Sequence, residues 1–410
     1  MTFSRFSTTL QVIKTHHKIH PPLIKGIASA LFSVFGEGKY ADKAVPQLLK
    51  ENPKWGSKDR RFVAENTYEL VRYWRKYWHL LGEEISKEHA ALERLVAIRL
   101  LEQGFTLPDD ENFAGLTITE LAISESDAVT ESYPEWLYAR IVQELGERGS
   151  KEAQSLNDRA SVFLRVNTSK ISTKKALKSL EEQQVPASLL PGTNCIRLEA
   201  RANLDQIEIC KKGQAELQDS GSQLIAPFLD PKPGSLIIDA CAGSGGKSLH
   251  LADLTNDGSP IISLDIEHWK LKNLLFRANK SGFQSIVTYP LPDPEFFKQY
   301  AQKADYLLLD VPCSGLGVIK RNPDTKWKLT EERLEELIGI QQDILSSYIN
   351  LVKPGGICVY ATCSILPSEN TDQVHKFLKN NSEFSLLAEH MQWPSQGTDG
   401  FYMARLQRSY

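Results

Sequence analysis

Two cysteines of this 410-residue chain stand where thiol chemistry can be done: Asp310-Val311-Pro312-Cys313 and Ala361-Thr362-Cys363-Ser364. Each segment follows a short apolar run, Tyr306 to Leu309 and Ile357 to Ala361, that reads as a buried strand. Both thiols then fall just past a strand's C-terminal end, the edge at which open α/β sheets bind ligands. A third segment, Asp239-Ala240-Cys241-Ala242-Gly243-Ser244-Gly245-Gly246-Lys247, also follows a strand. A glycine-rich loop and two cysteines at one sheet edge point to a cofactor and a thiol nucleophile meeting there.

The C5 carbon of cytosine or uracil is a poor nucleophile. A thiolate that adds to C6 turns the ring into an enamine and makes C5 reactive, which splits one hard step into two easier ones. A carboxylic acid near N3 would stabilise the charge that develops on the ring. A second acid–base group helps when the C5 proton leaves and the thiol is expelled. Cys363, Cys313 and Asp310 stand at the right edge for these roles. A thiol must ionise to attack, so its site should lower its pKa. Lys247, Lys320, Arg321 and Lys326 are candidate cations, and the pattern does not choose among them. The stretch from Ser314 to Trp327 is glycine-containing, basic and aromatic. It reads equally as a plain surface connection or as a loop that holds a flipped base and its phosphates.

Glycines let backbone approach a ligand closely, and a helix N-terminus favours polar or charged groups. A phosphate-binding loop G-x-x-x-x-G-K-[ST] fits Gly246-Lys247-Ser248 but fails at its first glycine, which falls on Cys241. The dinucleotide pattern G-x-G-x-x-G fails at its last position, Ser248. What remains is a nucleoside cofactor without a demanding phosphate cradle, such as S-adenosylmethionine. Asp265 ends the next strand, where a carboxylate can accept both ribose hydroxyls; an ordinary surface acid is the plainer reading.

Cys195, Cys210 and Cys358 read as small buried hydrophobes. No CxxC pair occurs, so neither a structural zinc site nor a disulfide framework is expected. Apolar content of 41% and charged content of 24% are ordinary for a soluble globular chain with room for two or three domains. His16, His17, Lys18 and His20 interrupt the N-terminal segment and argue against a secretory signal. No apolar run approaches the roughly 20 residues of a membrane helix, so no membrane partner and a cytoplasmic location are expected. The net charge of −3 hides an asymmetry: residues 1–80 carry 14 Lys and Arg against 6 Asp and Glu, and residues 81–150 carry 5 against 15. A basic first segment suits a polyanion partner, or simply a solvated helical face.

Residues 1–145 read as helical, with Ser57 capping a helix from Lys58 towards Leu81 whose stripe is Phe62, Leu70, Val71, Trp74 and Trp78. Small mixed α/β material follows over about 150–215: strands at 162–167 and 195–198 and a helix at 173–183. Beyond it, strands at 236–239, 261–264, 286–288, 306–309 and 357–361 alternate with helices at 246–254, 267–280, 331–353 and 368–379. Such alternation predicts a mostly parallel, doubly wound sheet. A late pair, Phe384 to Leu387 and Phe401 to Arg405, is expected to add antiparallel edge strands.

At these residues the chain resembles the RsmB/NOP-type (Sun/Fmu) RNA cytosine-C5 methyltransferases. The motifs are Asp310-Val311-Pro312-Cys313-Ser314-Gly315, Arg321-Asn322-Pro323-Asp324, Lys326-Trp327, Thr362-Cys363-Ser364 and Glu369-Asn370. Gln218-Asp219-Ser220, Ser222-Gln223 and Asp399-Gly400-Phe401 belong to the same set. Lys58-Asp59-Arg60 with Tyr68 and Arg72 looks like the NusB-like helical domain of the bacterial RsmB branch, and Leu164-Arg165-Val166-Asn167 like its small RNA-binding region. Two departures stand out. Gly243-Ser244-Gly245 replaces the family's Ala-Pro-Gly, which is expected to change loop stiffness. Tyr289-Pro290-Leu291-Pro292-Asp293 lacks the family's Gly-Asp.

The resemblance implies a Rossmann-like α/β methyltransferase domain at 216–410. It implies a small α+β RNA-binding region at 146–215 before it, and an all-α NusB-like domain at 1–145. It implies Cys363 as nucleophile, Cys313 as the group that assists product release, and Asp310 contacting the base close to the cofactor. S-adenosylmethionine would lie on Cys241, Ala242, Gly243, Ser244, Gly245, Gly246 and Lys247, with Asp265 on the ribose and Asp293 near the adenine. The substrate implied is RNA, with small-subunit ribosomal RNA favoured by the layout and transfer RNA as the alternative, and a monomer is the simple expectation. Two other classes remain. A non-catalytic RNA-binding assembly factor could keep the fold, although intact Cys363, Cys313 and Asp310 speak against it. An amino-group methyltransferase would present Asn/Asp-Pro-Pro-Tyr after the fourth strand, where Cys313 stands instead.

Overall fold

A computed structural model of the chain describes residues 19–118, 126–200 and 202–410. Residues 16–18, read above against a secretory signal, lie outside them. The chain forms two units, Met1–Tyr138 with Asn322–Trp327, and Ala139–Arg321 with Lys328–Tyr410.

The first unit is helical, built on Pro21–Leu31, Ala41–Glu51, Ser57–Arg72, Trp74–Leu81 and His89–Glu102. Ile24, Ile27, Leu31, Val63, Leu70, Trp74, Trp78 and Leu95 fill its core. The helix expected from Lys58 to Leu81 is two helices, broken at Tyr73 (φ −110°, ψ 33°). Beyond the break Trp74 stacks on Phe35, with ring centroids 3.7 Å apart, and meets Trp78 edge-on at 5.5 Å. Ser57 is the first helical residue and not the cap. Gly56 holds the cap position, and its N–H donates to the Asp59 carboxylate at 3.2 Å.

Asn322–Trp327 belongs to this unit and is held by it. The Asp324 carboxylate accepts the Ala41 N–H at 3.0 Å, at the start of a helix. The Lys326 ammonium is fully buried, 4.1 Å from the centre of the Tyr133 ring. The Trp327 indole N–H donates to the Val71 carbonyl at 2.6 Å. These residues are therefore not a plain surface connection, and burial inside the helical unit, with the Arg72 charge added, pushes the Lys326 pKa well below that of a free lysine.

The second unit contains two sheets. Strands β1 (Val162–Val166), β2 (Ala187–Leu189), β3 (Cys195–Leu198) and β4 (Ala215–Leu217) form an antiparallel sheet in the order β2-β3-β1-β4. Leu164, Val166, Ile196 and Leu198 pack on Ala176 and Leu180 of the helix Thr173–Glu182. Strands β2 and β4 escape sequence reading because three half-exposed residues carry no usable periodicity.

The larger sheet joins β5 (Ile237–Asp239), β6 (Ile261–Asp265), β7 (Ile286–Pro290), β8 (Ala304–Asp310), β9 (Val352–Thr362), β10 (Phe384–Gln392) and β11 (Phe401–Arg408). Their order is β10-β11-β9-β8-β5-β6-β7, with β9 to β7 parallel and the last two strands antiparallel. Helices flank it, as the alternation predicts, and the fold is a Rossmann-like doubly wound α/β domain preceded by α+β and all-α parts. The order reverses between β5 and β8, so a crevice opens beyond their C-terminal ends. The helix Glu331–Tyr348 stops short of residue 353 because Ile349–Leu351 tightens and β9 begins at Val352, beside Ala304. An apolar run there satisfies helix and strand periodicity alike. No helix among the described residues is long and apolar enough to cross a membrane.

Candidate active site

Strands β8 and β9 run in parallel register, Asp310 beside Ala361, and the Val311 N–H donates to the Ala361 carbonyl at 3.0 Å. The two chains therefore leave the sheet together, and Cys313 and Cys363 arrive side by side with Sγ atoms 3.3 Å apart.

Beneath them lies Glu369, fully buried. Its carboxylate accepts the Ser314 N–H at 2.7 Å, the Ser314 hydroxyl at 2.5 Å and the Gln341 amide at 2.9 Å, and also the Ser364 hydroxyl. One carboxylate thus ties both cysteine loops, each one residue past the thiol. Asn370 completes the tie: its amide donates to the Ser364 carbonyl at 3.1 Å and its carbonyl accepts the Thr362 hydroxyl at 2.5 Å. Gly317 donates its N–H to the Cys363 carbonyl at 2.9 Å. A Cβ there would stand 2.2 Å from the Gly400 carbonyl oxygen, so only glycine allows this approach.

Of the four candidate cations, Lys247 serves this edge. Its ammonium pairs with the Asp310 carboxylate at 2.5 Å. Burial works to lower the Lys247 pKa, but Asp310 outweighs it and the charge of Cys363 adds to the effect, so the net shift is upward and Lys247 stays charged. Lys320 donates to the Pro394 carbonyl at 2.8 Å. Arg321 bridges Asp219 at 2.8 Å and Asp399 at 2.5 Å, which clasps the loop after Cys313 to the two acidic motifs. The hydrogen bond with Cys363, with burial added, pushes the Cys313 thiol well above its ordinary pKa.

A cleft of about 230 Å³ opens beside Asp310. Asp265, at the end of β6, is on its wall, with one oxygen accepting the Gly243 N–H and the other the Glu267 N–H, both at 2.8 Å. Cys241 and Gly243 line it from the glycine loop; Ile266, Leu291 and Tyr348 supply apolar walls, and Ile266 is 70% exposed within it. Gly243 (φ 54°) and Gly245 (φ 86°) take left-handed conformations, and a Cβ on Gly245 would stand 2.4 Å from Leu274 Cγ. The Ser244 carbonyl accepts from Arg277 at 2.5 Å. A carboxylate with unused lone pairs, open space over Gly243 and an exposed apolar wall fit a nucleoside cofactor with a ribose and a heterocycle.

Comparison with known proteins gives this geometry its context. Residues 226–407 match the model of the 16S rRNA methyltransferase RsmB/F family, and residues 133–205 match the ferredoxin-like domain of RsmF/B-like methyltransferases. The chain is 30% identical over 433 residues to the probable ribosomal RNA small subunit methyltransferase B of Synechocystis sp., covering 90% of this chain and 96% of that one. This chain belongs to the RsmB/F methyltransferase family. It is also 28% identical to ribosomal RNA small subunit methyltransferase B of Shewanella oneidensis, over 92% of this chain and 97% of that protein. The crystal structure of PH0851 shares the fold, with a TM-score of 0.78 at 24% identity over 96% of this chain and all (100%) of that one.

Within this RsmB/F methyltransferase the expected residues do not all meet. Cys363, Cys313, Asp310 and Lys247 gather at the edge, and Cys241, Gly243 and Asp265 line the cleft. Ala242 packs into the core under the loop, and Gly246 begins the following helix. Asp293 is engaged elsewhere. It caps the helix Pro294–Tyr300 by accepting the Glu295 N–H at 2.9 Å, and it takes the Tyr289 hydroxyl at 2.5 Å. Leu291, two residues earlier, is the residue of that segment on the cleft wall. Sequence reasoning assigns Glu369 and Gln341 no role, because a buried carboxylate shared by two loops appears only once those loops are adjacent. The Glu369-Asn370 motif is the one trace of it in the sequence.

Proposed function

We propose that this methyltransferase converts cytidine to 5-methylcytidine in small-subunit ribosomal RNA, acting as a cytoplasmic monomer, with Cys363 as nucleophile. The observation that carries the reading is the pair of thiols 3.3 Å apart beside Asp310. A single thiol serves addition to C6, and a second thiol beside it is placed to act as the base when a proton must later leave C5.

In this reading the Cys363 thiolate adds to C6 of the ring, and the Asp310 carboxyl group meets the N3 side as charge develops there. Lys247 holds Asp310 in place and offsets the negative charge of the attacking sulfur. S-adenosylmethionine, when bound in the cleft, supplies the methyl group taken up by C5. Asp265 would accept its ribose hydroxyls, the loop from Cys241 to Lys247 would follow its backbone side, and Ile266 and Leu291 would flank its heterocycle. The raised pKa of Cys313 supports its part. It stays a neutral thiol while Cys363 is a thiolate beside it; once Cys363 is bonded to carbon, that cause is gone. Cys313 then ionises more readily and takes the C5 proton, the C6–S bond breaks, and its electron pair leaves with Cys363 as the C5–C6 double bond returns.

The helical part (1–145) and the small α+β part (146–215) are assigned to RNA holding, and 216–410 to the chemistry. The test uses ribosomal RNA labelled with tritium at cytidine C5. Methylation at C5 releases the tritium to water, whereas methylation of an amino group or a ribose keeps it. Release from transfer RNA alone would move the substrate, and no methyl transfer to any RNA would leave an assembly factor.

A further inference from the structure

A second cavity in the α/β unit shares no lining residue with the cofactor cleft. It has a volume of about 430 Å³ and lies where β1 and β3 meet the helices Ser222–Leu229 and Gly246–Leu254. Arg165 reaches it from β1, on the opposite face of that strand from Leu164 and Val166, which fill the core. Arg165 is 3% exposed, and its Nε–H and Nη1–H have no hydrogen-bond partner. The His250 Nδ1 and the Ser220 hydroxyl, on residues 8% exposed, line the same cavity and also lack partners.

Buried donors are rarely left unmade, because each costs the full desolvation of the group. The carboxylates within electrostatic reach of Arg165 are Asp253 and Glu216, and both are engaged elsewhere. Asp253 accepts from Thr168 and Ser169, and Glu216 from Arg277 and Ser281. Burial lowers the Arg165 pKa only to about 10, so it remains a cation at neutral pH. Leu224 and Leu254, each more than a third exposed, form an apolar wall with Pro227, and Thr193, Asn194, Gln223, Gln392 and Thr398 add polar groups to the lining. A buried guanidinium with two unmade donors facing an apolar wall suits a ligand with a phosphate at one end and a flat ring at the other.

We propose that this cavity binds one nucleotide, its phosphate on Arg165 and Ser220 and its base against Leu224, Pro227 and Leu254. The nucleotide is either one unit of the RNA strand or a free mononucleotide. The RNA source rests on the function proposed above, and the position favours it. Gly221 and Thr398 also line the cavity, and their neighbours Asp219 and Asp399 are the two acids that clasp Arg321 after Cys313.

Calorimetry on the full chain, with the cofactor cleft filled by S-adenosylhomocysteine, tests this with cytidine and adenosine monophosphates and the matching nucleosides. The monophosphates are expected to bind at least about tenfold tighter than the nucleosides, and Arg165→Gln to erase the difference. Leu224→Trp, which fills the mouth and keeps Arg165, is expected to remove binding of both. S-adenosylhomocysteine binding reports that each variant is folded. If the monophosphate competes with RNA, and Arg165→Gln raises KM for RNA at unchanged kcat, the RNA strand is the source. If it binds without competing, the source is a free nucleotide. Loss of tritium release with nucleotide binding intact would sink the C5 chemistry alone. Equal affinity for nucleoside and monophosphate, or unaltered affinity in both folded variants, would overturn the proposal.

Discussion

The Sγ atoms of Cys313 and Cys363 lie 3.3 Å apart although the residues are 50 apart in the chain. Parallel pairing of β8 with β9 brings them together, and the buried Glu369 carboxylate holds the loops that carry them. The two thiols are therefore expected to fail in different ways. Cys363→Ala should abolish methyl transfer while leaving cofactor binding intact, and retained turnover would remove Cys363 from the mechanism. Cys313→Ser should let the adduct form and stall, so that protein and RNA migrate together on a denaturing gel. A gel without the shifted species would count against a role in release.

Glu369→Ala removes the acceptor for four donors in one stroke. Unfolding free energy should fall by about 2–4 kcal/mol, since buried donors are left unpaired. Glu369→Gln should retain most of that stability, because Ser314 and Ser364 offer hydroxyls that can turn to accept from its amide. Equal losses in the two variants, measured by denaturant titration, would show that Glu369 is not the tie between the loops.

Gly317→Ala tests the packing of the loop after Cys313. Its Cβ would meet the Gly400 carbonyl oxygen at 2.2 Å and the Cys363 carbonyl oxygen at 2.8 Å. Both obstacles are backbone, so the loop must move away from Cys363. The expected result is a kcat reduced by about tenfold or more, with binding of S-adenosylmethionine unchanged in calorimetry. Wild-type turnover would mean that this contact does not set the position of Cys363.

Asp239, at the end of β5, should give stability a visible pH dependence. Burial pushes its pKa up to about 7, against the pull of the Ser248 hydroxyl that donates to it at 2.6 Å. A folded pKa above the unfolded one, about 3.9, means that the folded state binds the proton more tightly. The contribution is fully present below pH about 4 and fades as pH rises to 7, by at most about 1.4 kcal/mol per pH unit. Against Asp239→Asn, which cannot titrate, the wild type should gain stability on going from pH 8 to pH 5. Denaturant midpoints for the pair at each pH check the sign, and a gain towards alkaline pH would contradict it.

Sequence alone determined the strand–helix alternation of the catalytic part and the placement of Asp239, Asp265, Asp310 and Cys363 at or just past strand ends. Those features are local: an apolar run closed by a polar residue looks the same before and after folding. It also determined the order of the parts, because helical periodicity gives way to alternation near residue 150. Tertiary structure decided which charges serve the site. Lys247, Lys320, Arg321 and Lys326 are equivalent on paper, yet one pairs with Asp310, one with a backbone carbonyl, one with Asp219 and Asp399, and one lies against Tyr133 in the helical unit. It also decided the roles of Glu369, Asp293 and Arg165. Partner choice depends on distances between segments remote in the chain, and these exist only after strand order and register are set.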